Sequence, residues 1–301
     1  MQVSVTLATL ATEFLERPGL AKSTRRTYEL VLLPLLQEYG WWSVEILSRQ
    51  VLIEYLNSLS HLKYTTHHKH QAILQSLMSF AVEQGYIKSN PIRGLKQRQP
   101  DREKGEHHTE EIVRFLIPEQ LNVLYKAVTN DLRMSAIVHL LHRTGCRISE
   151  LLALDISHMD LDNHKFQVVG KGNKQRWCFY SCDAADALNK YIKEERHDNY
   201  PALFTAQQPV TKTVSRISYR TVHDKWRELI KLHPELQGVR IHDLRHTFAT
   251  ERVGLMGIEE LRALMGHESI QTTLCYQKVT SARAEEVARN ALSYLVRSVN
   301  S

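Results

Sequence analysis

The chain has 301 residues, 43% of them hydrophobic and 24% charged, an ordinary globular composition with enough length for two domains. The longest apolar run, Leu30 to Leu36, is interrupted by Pro34, and the chain start lacks the basic and apolar regions of a signal peptide, so a membrane span is excluded and a cytoplasmic protein is expected. A net charge of +6 and a pI near 9.1 suit a polyanionic partner, and the basic excess is spread over both halves of the chain.

The first hundred residues have helical periodicity. Thr6 to Glu16 is amphipathic and ends at Pro18-Gly19. Ser23 is the expected N-cap of a helix over Arg26 to Tyr39, with Pro34 expected to kink or break it. Val44 to Leu59 and Thr66 to Gln84 are the next two expected helices, the second ended by Gly85 and the following Asn90-Pro91. Gln97 to Glu111 is almost wholly polar and is expected to be a linker between domains, able to span about 40 Å if extended.

Beyond the linker, Pro118 to Thr129, Leu132 to Arg143 and Ile148 to Leu154 are expected helices. The period then changes. Lys165 to Val169 and Arg176 to Tyr180 are β-rich runs joined by Gly-Lys-Gly-Asn-Lys, which predicts a hairpin. From Ala184 onward the pattern is helical again, including an apolar stripe over Ala282 to Val296. The cysteines Cys146, Cys178, Cys182 and Cys275 are irregularly spaced and complete neither a disulfide framework nor a metal set.

Four segments carry chemistry. In Thr144 to Leu154, Arg147 opens a helix and Glu150 lies one turn later, so a guanidinium and a helix start make a phosphate site. In Gly170 to Arg176, glycines leave Lys171 unobstructed at a loop tip, within reach of a phosphate or a leaving oxygen. In Ile241 to Thr250, His242 and Arg245 share a helix face and suit two oxygens of one phosphate. His242 and His246 also have zinc-ligand spacing, but the metalloprotease pattern needs Glu where Asp243 stands. In Met265 to Val279, Tyr276 follows Gly266-His267 by nine residues.

In order, spacing and local words these segments resemble the tyrosine recombinases, the phage-integrase or Xer-type family. The match runs from about Phe115 to Leu292, and Glu83 to Lys96 also resembles the family's core-binding helices. The departures are Gln277-Lys278, where relatives often carry Thr-His, and Met265, where Leu is usual. The resemblance implies a mainly α protein of two domains: a helical, SAM-like core-binding domain over 1–98, a linker over 99–110, and an α-rich catalytic domain with a small antiparallel sheet over 111–301. It implies a catalytic set of Arg147, Lys171, His242, Arg245, His267 and Tyr276, supported by Glu150.

The implied reaction is attack of Tyr276 on a DNA phosphodiester, giving a 3′-phosphotyrosine and a free 5′-hydroxyl, with rejoining by a second 5′-hydroxyl. Arg147 and Arg245 would clamp the non-bridging oxygens, His267 would hydrogen-bond the phosphate, His242 would be the general base and Lys171 the general acid. No metal ion or other cofactor is expected. The partner is double-stranded DNA, with Lys22, Arg25, Arg26, His67 and Lys69 as contacts in the first domain and Lys174, Arg176, Arg216 and Arg220 in the second. So little chain precedes Thr6 that a separate arm-binding domain is not expected, which favours short inverted core sites and a homotetramer on two DNA sites, joined through the C-terminal helix. A topoisomerase IB-like or telomere-resolving enzyme, a non-catalytic DNA-binding module and a metalloenzyme are the alternatives. The role in integration, excision or dimer resolution stays open.

Overall fold

The computed structural model describes residues 4–106, 113–170 and 174–277. The chain divides into two compact units, with the boundary between Glu111 and Ile112. Among the described residues no helix is long and apolar enough to cross a membrane.

Among its described residues the first unit holds four α-helices: α1 (Leu7–Glu16), α2 (Lys22–Tyr39), α3 (Arg49–Ser58) and α4 (Tyr64–Glu83). Leu7, Leu10 and Phe14 of α1, Leu32 and Leu35 of α2, Leu52 of α3, and Leu74, Leu77 and Met78 of α4 form its core. Thr6 caps α1, its hydroxyl accepting from the Thr9 amide at 3.2 Å. Three expectations change here. Helix α2 starts at Lys22 with Ala21, not Ser23, at the N-cap. The expected break at Pro34 does not occur: the helix continues through it, on the exposed face beside Leu30 and Leu33, where the carbonyl that loses its partner is open to solvent. The single helix expected over Val44 to Leu59 is split, with a 3₁₀ turn at Val44–Ile46 followed by Ser48, whose hydroxyl accepts from the Val51 amide at 3.3 Å and starts α3.

The segment expected to be an extended linker begins by folding back on this unit. Arg98 donates to both carboxylate oxygens of Glu106, at 2.9 and 3.0 Å, and to the Leu62 carbonyl at 3.1 Å. Glu106 in turn accepts from the Tyr64 amide at 2.8 Å, capping the start of α4 from a distance. Residues 107–111 of that segment lie outside the described residues.

The second unit is built around α6 (Leu132–Thr144), which buries Ala136, Ile137, Val138, Leu140 and Leu141. Helices α5 (Pro118–Val128), α8 (Cys182–Glu194) and α10 (Asp243–Arg252) pack on it, and α7 (Ile148–Leu152) follows from its end. Strands β1 (Met159–Asp160), β2 (Lys165–Val169) and β3 (Gln175–Phe179) form an antiparallel sheet in that order, with Phe166 opposite Cys178 and Val168 opposite Arg176. That pairing turns Arg176 inward and leaves Trp177 and Phe179 outside. A second hairpin, β4 (Thr205–Gln207) with β5 (Val214–Arg216), corrects the expectation of helices only beyond Ala184. Helix α9 (Tyr219–Leu232) follows it, and α11 (Ile258–Met265) and α12 (Gln271–Leu274) close the described chain.

Candidate active site

Two helices end at glycines in the left-handed conformation, and both ends face the site. Gly145 (φ +62°) closes α6 and Gly266 (φ +62°) closes α11. A Cβ on Gly145 would meet the Phe248 ring at 2.4 Å, and one on Gly266 would meet the Arg176 guanidinium at 2.9 Å. Helix ends leave carbonyls without partners. Arg245, on the inner face of α10 and 3% exposed, uses one guanidinium nitrogen on the Gly145 carbonyl and another on the Met265 carbonyl at 2.6 Å. One buried arginine therefore pins the two helix ends beside each other.

Arg147 comes directly after this junction. Its Nη1 donates to Glu150 at 2.9 Å and its Nη2 approaches the Gly266 carbonyl at 3.5 Å, while about a third of the side chain stays exposed. Glu150, 6% exposed, also accepts from the Arg147 amide at 2.8 Å and from Arg176 at 2.6 and 3.1 Å. Burial pushes this carboxyl up, but the bonds from Arg176 and Arg147 outweigh burial and hold it below the usual carboxylate range. Two guanidiniums thus bond one carboxylate, and Arg245 feels its charge nearby. Burial, then Arg147 and Arg176, lower Arg245 to about 10, which still leaves it charged at neutral pH. This is a cationic, preorganised seat for an anion.

His267 follows Gly266. Its Nδ1 bonds the buried Thr273 hydroxyl at 2.9 Å, which fixes the ring, and burial followed by Arg245 and Arg147 lowers its pKa to about 4. The ring stacks on Tyr276, with centroids 6.3 Å apart and planes 4° from parallel. Tyr276 itself is 2% exposed and packs with Phe248, Ala249, Leu261 and Met265. Burial and the neighbouring Cys275 raise its phenol to about 12, against the pull of Arg245 and Arg147.

The partner of that phenol is not the histidine expected. Tyr276 Oη lies 2.8 Å from His246 Nδ1, not against His242. His242 sits at the exposed N-cap of α10 with its ring 4.8 Å from that of His246. In the sequence, the spacing of His242 and His246 suggested only a zinc pair. Among the described residues no three His, Cys, Asp or Glu side chains are grouped as metal ligands. Lys171 lies outside the described residues.

The expected DNA contacts divide. Lys22, Arg26, Lys69, Lys174 and Arg220 are exposed, and Arg220 lies 3.8 Å from Asp224. Arg25 is exposed but pairs with Glu29 at 3.1 Å and Glu16 at 3.8 Å. Three assignments are corrected. His67 is buried, with its Nε2 on the Leu56 carbonyl at 3.0 Å. Arg176 is 10% exposed and spent on Glu150 and on the Leu264 carbonyl at 2.9 Å. Arg216 binds the carbonyls of Leu152 and Leu154, at 3.0 and 2.7 Å, and Asp155.

A family model described as "Phage integrase family" matches residues 114–283. The chain belongs to the phage integrase family. It is 31% identical over 264 residues to "Tyrosine recombinase XerC" of Natranaerobius thermophilus, covering 83% of each chain. Among solved structures, the Tn1549 transposon integrase bound to a circular intermediate DNA shares the fold at a TM-score of 0.73 and 20% identity, covering 95% of this chain and 99% of that one. The XerH site-specific recombinase bound to a palindromic difH substrate gives a TM-score of 0.67 at 20% identity, with 88% and 78% coverage. The activity is site-specific tyrosine recombination, a DNA strand transfer, and the topoisomerase-like or telomere-resolving alternative is not favoured.

Proposed function

We propose that Tyr276 is the nucleophile of this recombinase and that Arg147, Arg245, His267 and His242 serve the phosphate it attacks, with Lys171 as general acid toward the 5′-oxygen. The observation that carries the reading is convergence. Arg147, Arg245 and the pair His267 and Tyr276 come from three separate segments, yet Arg245 joins the ends of α6 and α11, and His267 stacks on the phenol. An attacked phosphodiester gains negative charge, and fixed guanidiniums stabilise that charge without reorganising. The phosphate bond energy is kept in the protein–DNA link, so rejoining needs no nucleotide. Glu150 holds Arg147 and Arg176 in place.

In this reading the enzyme acts in the cytoplasm at the nucleoid, as a homotetramer on two DNA sites with short inverted repeats, for element integration and excision or for dimer resolution. Tyr276→Phe is expected to bind a target duplex and form no covalent adduct on a suicide substrate. An adduct with that variant would remove Tyr276 from the role. Lys171→Ala is expected to cleave poorly and to recover on a substrate whose 5′ leaving atom is sulfur, because a thiolate leaves without a proton. Absence of recovery would reassign the acid.

A further inference from the structure

His246 lies in hydrogen-bond contact with the reacting atom and belongs to none of the roles above. It is one turn beyond His242 on α10 and is half-buried between the His242 ring and Tyr276. Its Nδ1 stands 2.8 Å from Tyr276 Oη. We propose that His246 is the catalytic residue that takes the proton from the Tyr276 hydroxyl during DNA cleavage and returns it during rejoining. The proposal rests on Tyr276 being the nucleophile.

Geometry decides between the two histidines of α10. A general base must be within hydrogen-bond reach of the proton it removes, and His246 already holds that position before DNA arrives. The state of the pair fits. Burial, then His242, lower the imidazole to about 4, and Arg240 and Arg245 act in the same direction against Asp243. Burial raises the phenol to about 12. At neutral pH the phenol is therefore the donor, and the imidazole accepts at Nδ1 with its own proton on Nε2. Tyr276 and His267 face the imidazole from the chain beyond α11, and His242, Asp243, Arg240 and Arg245 from its own helix and the turn before it.

In the step itself, the Oη–H bond breaks as Oη–P forms, and the proton passes to Nδ1. The P–O5′ bond breaks, and its electron pair leaves on the 5′-oxygen, which is protonated by the general acid. Rejoining runs the same transfers backward, so the imidazolium protonates the departing phenolate.

The test is single-turnover adduct formation on a suicide substrate, with DNA binding measured on the same preparations. His246→Asn keeps an acceptor oxygen where Nδ1 stood but takes no proton. Adduct formation is expected to slow by about 10²–10⁴-fold with DNA affinity retained. Its rate is expected to climb about tenfold per pH unit toward high pH, as free phenolate replaces the base, while the wild-type rate stays flat from about pH 6 to about pH 9. An Asn variant that cleaves within about threefold of wild type, or is slow with a flat profile, would show that His246 only positions the phenol and would overturn the proposal. Should the Asn variant not fold, the wild-type profile decides, because a wild-type rate climbing about tenfold per unit across that range means no base is acting. An adduct in Tyr276→Phe would instead defeat the nucleophile assignment, so the two failures are separate.

Discussion

Glu150 accepts four hydrogen bonds, from two arginine side chains and one amide, while almost wholly buried. Removing one partner of a buried ion pair leaves the other charge desolvated without compensation, at about 3–5 kcal/mol. Glu150→Ala is therefore expected to lose stability in that range in urea denaturation, mostly through Arg176, since Arg147 keeps access to water. A loss below about 1 kcal/mol, the worth of an exposed pair, would mean that water reaches the cluster. The sequence showed Glu150 as a helper of Arg147 because their spacing is local. It hid Arg176 as the stronger partner, because that contact joins β3 to α7 across 26 residues of sequence. The six positions proposed as catalytic were chosen from local words in the sequence. The hydrogen bond from Tyr276 to His246 was not, since it joins residues thirty apart through packing that no local pattern encodes.

Helices α10 and α11 and the turn after them bring two histidines against buried arginines, and this fixes how the second unit responds to acid. His246 and His267 are both lowered from 6.5 to about 4 in the folded protein, burial being the largest cause in each. As pH falls below about 6.5 the unfolded chain takes up protons at these rings and the folded chain does not, so stability falls with pH until about 4. The melting temperature is accordingly expected to drop between about pH 7 and about pH 5, and the drop to shrink in a His246→Asn, His267→Asn double variant. An unchanged slope in that variant would place the acid sensitivity elsewhere. At this scale the sequence was most reliable where a helix carries a long apolar stripe, as in α4 and α6. It failed at β4 and β5, three residues each and too short for alternation to register, and at Ser48, whose cap divides an otherwise continuous helical pattern. Inside β3 the alternation was present but inverted, with Arg176 and Cys178 turned in and Trp177 and Phe179 turned out.

Across the whole chain, the two compact units each bury apolar side chains of their own, and the sequence offered the polar stretch Gln97 to Glu111 as the expected boundary. Polarity alone could not distinguish a free tether from a capping loop, and Glu106, spent on the start of α4 and on Arg98, belongs to the second kind. The distribution of exposed cations leads to a prediction about DNA. Lys22, Arg26 and Lys69 of the first unit are exposed, whereas Arg216, Arg176 and His67 are committed inside the fold. Each phosphate neutralised by a protein cation releases counterions, so the logarithm of the binding constant falls with the logarithm of salt at a slope of about −0.9 per contact. Replacing Lys22, Arg26 and Lys69 together by Ala is expected to flatten that slope by about 2.7 if each engages one phosphate. The weakening should be equal for target and unrelated duplexes, because phosphate contacts position without reading sequence. The adduct rate at saturating DNA should be unchanged, since none of the three belongs to the cationic seat around Arg245. A slope that does not move would remove the three cations from the phosphate contacts. A selective loss on the target duplex would assign one of them to base edges.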